Sequence, residues 1–79
     1  MDEYTYENEA RQHWLGITRQ EIEVLKLLSQ GMTNKQISAR LEISVQTVKN
    51  HATSIYKKLK VANRTQAVLV AQQMGLVLF

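Results

Sequence analysis

The sequence contains no cysteine and no proline, and its three glycines are isolated from one another. Without cysteine, neither a disulfide framework nor a thiolate metal site can stabilise the chain. Isolated glycines do not form the glycine-rich loop that cradles phosphate groups in many nucleotide-binding proteins. The 79 residues are enough for one small domain. Its stability must therefore come from helix packing, with dimerisation as a further source.

Long apolar segments are also absent. No run reaches the roughly eighteen apolar residues that a membrane-spanning helix needs. The first residues include Asp2, Glu3, Glu7 and Glu9, which is not the basic start of a signal or transit peptide. The apolar fraction of 44% is ordinary for a globular protein and argues against disorder. We therefore expect a folded cytoplasmic protein with no membrane contact.

Acidic residues are scarce in most of the chain, and none occurs from Ser44 to the C-terminus. Residues 1–16 carry four acidic residues against one basic residue, whereas residues 17–79 carry three against nine. A basic domain behind an acidic segment indicates a polyanionic partner such as nucleic acid. A soluble surface with lysines on it would give the same counts, so charge alone leaves both interpretations open.

Capping signals and apolar periodicity predict four helices, and no alternating strand pattern is present. Two capping boxes, Thr18 with Glu21 and Thr33 with Gln36, would satisfy free backbone donors at two helix starts. The predicted helices begin at the capping residues Thr18, Thr33, Ser44 and Asn63. The prediction is an all-α four-helix bundle over residues 16–79, preceded by an acidic arm or linker over residues 1–15.

The connection between the second and third helices is unusually short. Leu41 ends one helix and Ser44 begins the next, so that Ile43 can fill the corner between them. The third helix has apolar residues at spacings of four, three and four, which predicts an inward face made of Val48, Ala52, Ile55 and Leu59. This pattern is typical of a helix-turn-helix, whose second helix can enter a DNA major groove. Purely structural bundles contain equally tight corners.

The predicted outward face of the third helix favours DNA binding. It contains the polar side chains of Gln46, Lys49, Asn50, Thr53 and Lys57, together with Val45. Lysine can donate to guanine O6 and N7, and asparagine can pair with adenine N6 and N7. Carboxylates would repel phosphate groups, so their absence from this region fits an electrostatic footprint for DNA.

Four blocks of sequence resemble the DNA-binding domain of the LuxR/FixJ (GerE-like) family. They are ITRQEIEVLKLL at 17–28, GMTNKQI at 31–37, ISVQTVKNH at 43–51 and KLKVANRTQA at 58–67. The resemblance extends over roughly residues 16–78 without an internal gap. It implies a four-helix domain that acts in transcriptional control and binds an inverted-repeat operator as a homodimer.

The resemblance also implies roles for particular residues. Contacts to base edges are expected from Lys49, Asn50 and Thr53. The short side chain of Thr53 suits a thymine methyl group as well as a polar contact. Contacts to backbone phosphates are expected from Thr33, Asn34, Lys35, Ser44, Gln46, Thr47, Lys57 and Arg64. Dimer contacts are expected from Leu69, Val70, Gln72 and Gln73, although Leu69 and Val70 could instead pack against Leu76 and Phe79.

Other functional classes have less support. His13 and His51 have no second ligand at metal-binding spacing, and no nucleophile context surrounds the serines, so we expect no metal, no cofactor and no enzymatic activity. His51 is expected to be packed or to face phosphate.

A sigma-type promoter-recognition module and a protein-interaction bundle are the alternatives to a LuxR-type regulator. RNA polymerase is a further candidate partner. The chain could be a stand-alone regulator or the output domain of a response regulator.

Overall fold

A computed structural model describes residues 16–75 as an all-α arrangement of four helices. The predicted arm at residues 1–15, and Leu76 and Phe79 at the other end, lie outside the described residues. Within the described part, no helix is both long enough and apolar enough to cross a membrane. The helices are α1 (Arg19–Ser29), α2 (Asn34–Leu41), α3 (Val45–Leu59) and α4 (Arg64–Gln73). The predicted fold class is confirmed.

The helix starts follow the predicted caps. The Thr18 hydroxyl accepts from the backbone N–H of Glu21, and the Glu21 carboxylate accepts from the backbone N–H of Thr18. The same reciprocal pair joins Thr33 and Gln36 at the start of α2. Side-chain caps of this kind satisfy backbone donors that have no partner inside the helix. The caps at α3 and α4 are Ser44 and Asn63, each accepting from the backbone N–H three residues later.

The core is formed by one face of each helix. Helix α3 lies at its centre and packs against α1, α2 and α4. The predicted inward residues Val48, Ala52, Ile55 and Leu59 are all buried. Val48, Ile55 and Leu59 form one cluster with Leu25 of α1, Ile37 of α2 and the small residues Ala67 and Ala71 of α4, among others. Burial of this stripe fixes which face of α3 is directed outward.

The corner between α2 and α3 turns without a glycine. Glu42 ends α2 in the left-handed region at φ 58°, and its backbone N–H donates to the Ser38 carbonyl. A residue with a Cβ usually avoids this region, because the left-handed conformation costs about 1–2 kcal/mol. Ile43 is half-buried and packs against the core, as predicted. This apolar contact holds the turn closed and sets the direction in which α3 leaves it.

Candidate nucleic-acid interface

The exposed face of α3 carries the residues for which base contacts are predicted. Lys49, Asn50 and Thr53 are all exposed, whereas the neighbouring Val48 and Ala52 are buried. Three neighbouring positions on one side of the helix therefore present an ammonium, a carboxamide and a hydroxyl with its methyl group. These groups can donate to guanine, pair with adenine or contact a thymine methyl group.

Two hydrogen bonds organise this face. The Gln46 side-chain amide donates to Asn50 Oδ1 at 3.0 Å, four residues along the helix. The Thr53 hydroxyl donates to the Lys49 carbonyl at 3.0 Å. Because the Thr53 proton is engaged, its methyl group and oxygen lone pairs are what it can offer to a ligand. Gln46 is predicted to contact phosphate, and in the structure it lies beside Asn50, which is predicted to contact a base.

Most of the predicted phosphate contacts lie at the N-termini of α2 and α3. Ser44 accepts from the Thr47 backbone N–H at 3.0 Å, and the two hydroxyls lie 2.8 Å apart. Neither helix has an acidic residue in its first turn. Helix N-termini carry partial positive charge and unpaired backbone N–H groups, which suits an anion. Thr33 and Lys35 are exposed at the start of α2, and Asn34 is half-buried there.

Lys57 and Arg64, the remaining predicted phosphate contacts, have different surroundings. Lys57 is exposed in the last turn of α3. Arg64 is half-buried, and its Nη2 donates to the Leu28 carbonyl at 3.0 Å. Arginine retains further N–H donors after one such bond. The sequence did not suggest this bond, because its two residues are 36 positions apart.

His51 lies beside the inward stripe of α3. Its side chain is half-buried, and its Nε2 is enclosed by the protein. An enclosed nitrogen is poorly placed to reach a phosphate group. The packed role, which was one of the two predicted for His51, is the one that this placement favours.

An ion pair between a buried carboxylate and a half-buried lysine connects α1 to α3. The Glu21 side chain is 4% exposed and its Oε1 accepts from Lys58 Nζ at 2.6 Å. Burial by itself raises the pKa of the Glu21 carboxyl, but hydrogen bonds from Lys58, Ser54 and the Thr18 backbone, with the charge of Lys58, outweigh it. The pKa therefore lies below its ordinary value. The capping pattern identified Glu21, but no local spacing indicated its partner 37 residues later.

The residues predicted for a dimer contact lie on α4. Leu69 is 53% exposed, which is unusual for a large apolar side chain in the described part of the protein. Val70 and Gln72 are half-buried, and Gln73 is exposed. A single exposed leucine is ordinary on a protein surface, so the dimer contact stays a prediction.

Comparison with protein families places this arrangement among known regulators. The family model described as "Bacterial regulatory proteins, luxR family" matches residues 16–71. The chain is 46% identical over 61 residues to the transcriptional regulatory protein LiaR of Bacillus subtilis (strain 168), covering 77% of this chain and 29% of LiaR. It is 41% identical over 61 residues to the response regulator protein VraR of Staphylococcus aureus (strain NCTC 8325 / PS 47), and the match covers 77% of this chain and 29% of VraR. The chain thus spans less than a third of the length of these curated relatives.

Two solved structures share the fold. The transcription factor GerE superposes with a TM-score of 0.74 at 38% sequence identity, covering 77% of this chain and 91% of GerE. The response regulator ChrA of a heme-sensing two-component system superposes with a TM-score of 0.73 at 49% identity. That match covers 75% of this chain and 29% of ChrA.

Proposed function

Because this chain belongs to the LuxR family of bacterial regulatory proteins and forms the family's helix-turn-helix DNA-binding domain, we propose that α3 enters the major groove of a specific operator. The observation that carries this proposal is the exposed face of α3. It presents Lys49, Asn50 and Thr53 outward from a helix whose opposite side is locked into the core. The function is binding alone, with no catalytic step.

Base recognition is assigned to three side chains. Lys49 donates to guanine, and Asn50 pairs with adenine through its amide. Gln46 already donates to Asn50 Oδ1, so it restrains the amide that reads the base and leaves the Asn50 nitrogen to donate. Thr53 contacts a thymine methyl group, because its hydroxyl proton is held by the Lys49 carbonyl.

Phosphate contacts are assigned to the groups around this face. Thr33, Asn34 and Lys35 lie at the start of α2, which crosses the DNA backbone in this docking geometry. Ser44 and Thr47 approach a second phosphate at the start of α3, and Gln46 can reach the backbone from the same turn. Lys57 and the remaining donors of Arg64 extend the positive surface. Such contacts set affinity and position rather than sequence preference.

Dimerisation on DNA is assigned to α4. The exposed Leu69, with Val70, Gln72 and Gln73, forms a small contact with a second copy. A patch on one ten-residue helix is far below the area of a stable interface, so the copies pair on DNA and are mainly monomeric in solution. The operator is therefore an inverted repeat with half-site centres about 34 Å apart.

The relatives suggest the setting in which the domain works. LiaR is a transcriptional regulatory protein and VraR is a response regulator. We place this domain in the same role, as the DNA-binding output unit of transcriptional control in the bacterial cytoplasm, with RNA polymerase as a partner at the promoter.

A selection experiment tests the proposal. The 79-residue chain is used to enrich duplexes from a random-sequence library, and its affinity is then measured for the enriched duplex and for a scrambled version. We expect an inverted repeat to be enriched and bound at least 10³-fold more tightly than the scrambled duplex, as is usual for specific binding. Equal affinity for both duplexes, or no binding at low salt, would refute the proposed function. The second result would favour a protein-interaction bundle.

A further inference from the structure

We propose that Glu21 is a positioning residue for sequence-specific DNA binding, because it constrains the orientation of α3 through Lys58 and withholds the Lys58 ammonium from phosphate. The proposal rests on the DNA-binding function proposed above. Among residues 16–75, Glu21 is the only buried charged side chain, at 3% exposure. A buried carboxylate is costly unless it is paired and hydrogen-bonded, so its presence needs a reason.

Helix capping does not supply that reason. The box at the start of α2 makes the same two hydrogen bonds with a neutral, exposed Gln36. At α4, Gln66 is also neutral and exposed, and its Oε1 accepts from the Ala62 backbone N–H. Of the four residues in this local position, Gln36, Thr47 and Gln66 are therefore uncharged. The charge and the burial of Glu21 serve the contact with α3.

That contact attaches the last turn of α3 to α1. Lys58 Nζ donates to Glu21 Oε1 at 2.6 Å. Lys58 directly follows Lys57 of the DNA-facing surface and so lies about 100° around the helix from it. Apolar packing is non-directional, whereas hydrogen bonds require a particular geometry. The carboxylate therefore adds a directional constraint to the rotation of α3 that the buried apolar stripe sets, and with it to the direction of the base-reading side chains.

The same contact gives two adjacent lysines different electrostatic roles. Lys57 is exposed and available to a phosphate group. The Lys58 side chain is 29% exposed and its ammonium is neutralised by Glu21 at 2.6 Å. Counterion release requires a cation that neutralises a phosphate, and the charge of Lys58 is already compensated by Glu21. Glu21 thus limits the sequence-independent attraction that α3 exerts on DNA.

The test compares Glu21→Gln with Glu23→Gln. The first variant keeps an amide oxygen for the Thr18 cap, as Gln36 does for Thr33, but removes the charge. The second removes the same charge from an exposed position on the same helix. Affinity is measured for the enriched and scrambled duplexes across a salt series, at a temperature where melting curves show both variants to be folded.

We expect Glu21→Gln to reduce the ratio of the two affinities by about ten-fold, equivalent to one good base contact. The salt slope on scrambled duplex should steepen by about 0.9, because Lys58 can then meet a phosphate. Adding Lys58→Met should restore the slope but not the ratio. A Glu21→Gln protein that matches Glu23→Gln in both ratio and slope would overturn the proposal. Loss of discrimination in the unaltered chain would instead overturn the proposed function.

A second variant covers the case in which Glu21→Gln melts below the assay temperature. Lys58→Met removes the ion pair from the α3 side. It should lower the affinity ratio while leaving the salt slope unchanged, because the paired ammonium contacts no phosphate. An unchanged ratio in folded Lys58→Met protein would overturn the positioning role.

Discussion

Replacing Lys35 by alanine separates the two kinds of contact assigned to this domain. Lys35 is exposed in the first turn of α2, the helix assigned to the DNA backbone. A lysine there can neutralise a phosphate but cannot distinguish one base pair from another. Affinity should therefore fall by the same factor for operator and scrambled duplex.

The magnitude follows from the loss of one phosphate contact. Each contact contributes about 0.9 to the slope of log affinity against log salt, so the slope should become shallower by about that amount. Raising salt from about 50 to about 200 mM should then reduce the ratio of DNA affinities between the unaltered chain and Lys35→Ala by about 3.5-fold. The capping bonds between Thr33 and Gln36 remain, at 2.9 and 3.1 Å. Stability should therefore change by no more than about 0.5 kcal/mol.

The assay is a fluorescence-anisotropy titration of both duplexes across the salt series, with thermal melting to check the fold. Lys26→Ala is the matched control, because it removes a lysine from an exposed position on α1. It should leave the slope nearly unchanged. If Lys35→Ala abolishes discrimination between the duplexes but keeps the original slope, the assignment of α2 to the backbone is wrong.

Three further changes test other parts of the account. Lys49→Ala and Asn50→Ala should each weaken operator binding by about 1–3 kcal/mol while largely sparing scrambled duplex; equal losses on both would mean that these residues contact only phosphate. Leu69→Ser should reduce affinity for an inverted repeat but not for an isolated half-site, as seen in electrophoretic shifts; a matching loss on the half-site would place Leu69 outside the dimer contact. The folded-state pKa of Glu21 is lowered, so its ionised form stabilises the fold above the unfolded-chain pKa of about 4.3 and this contribution is lost as pH falls further. The difference in unfolding free energy between the unaltered chain and Glu21→Gln should therefore shrink below that pH, and a constant difference would contradict the pKa direction.

The elements of this fold were predictable because their signals are local. Each helix start coincides with a capping side chain, Thr18, Thr33, Ser44 or Asn63, whose partner lies three residues away. The inward stripe of α3 repeats at helical spacing and is buried as predicted. Both signals involve residues that lie within one or two helical turns of each other, so they can be recognised from the sequence alone.

Features that depend on tertiary packing were not predictable in the same way. The partners of Glu21 and Arg64 are 37 and 36 residues away, and no spacing rule connects them. The left-handed residues Glu42 and Lys60 lack the glycine that usually indicates a helix end, and packing around each turn overrides that preference. The Gln46–Asn50 hydrogen bond is different, because its spacing of four was available in the sequence and a helix brings such pairs together.

The sequence favoured a LuxR-type domain through its family resemblance, with a sigma-type module and an interaction bundle as alternatives. Geometry alone could not decide, because a tight helical corner occurs in all three. The family match over residues 16–71 and the GerE superposition decide in favour of the LuxR-type domain. The roles of individual side chains on DNA remain predictions.

Methylation protection of the enriched operator tests the central claim most directly. Dimethyl sulfate modifies guanine N7 in the major groove and adenine N3 in the minor groove, so protection reports which groove the protein occupies. If α3 reads the major groove, bound protein should protect guanine N7 in two clusters about 34 Å apart and related by the operator dyad. Lys49→Ala should lose protection at the guanine it contacts while the outer boundaries stay the same. Protection confined to adenine N3, or a single cluster at saturation, would contradict the account.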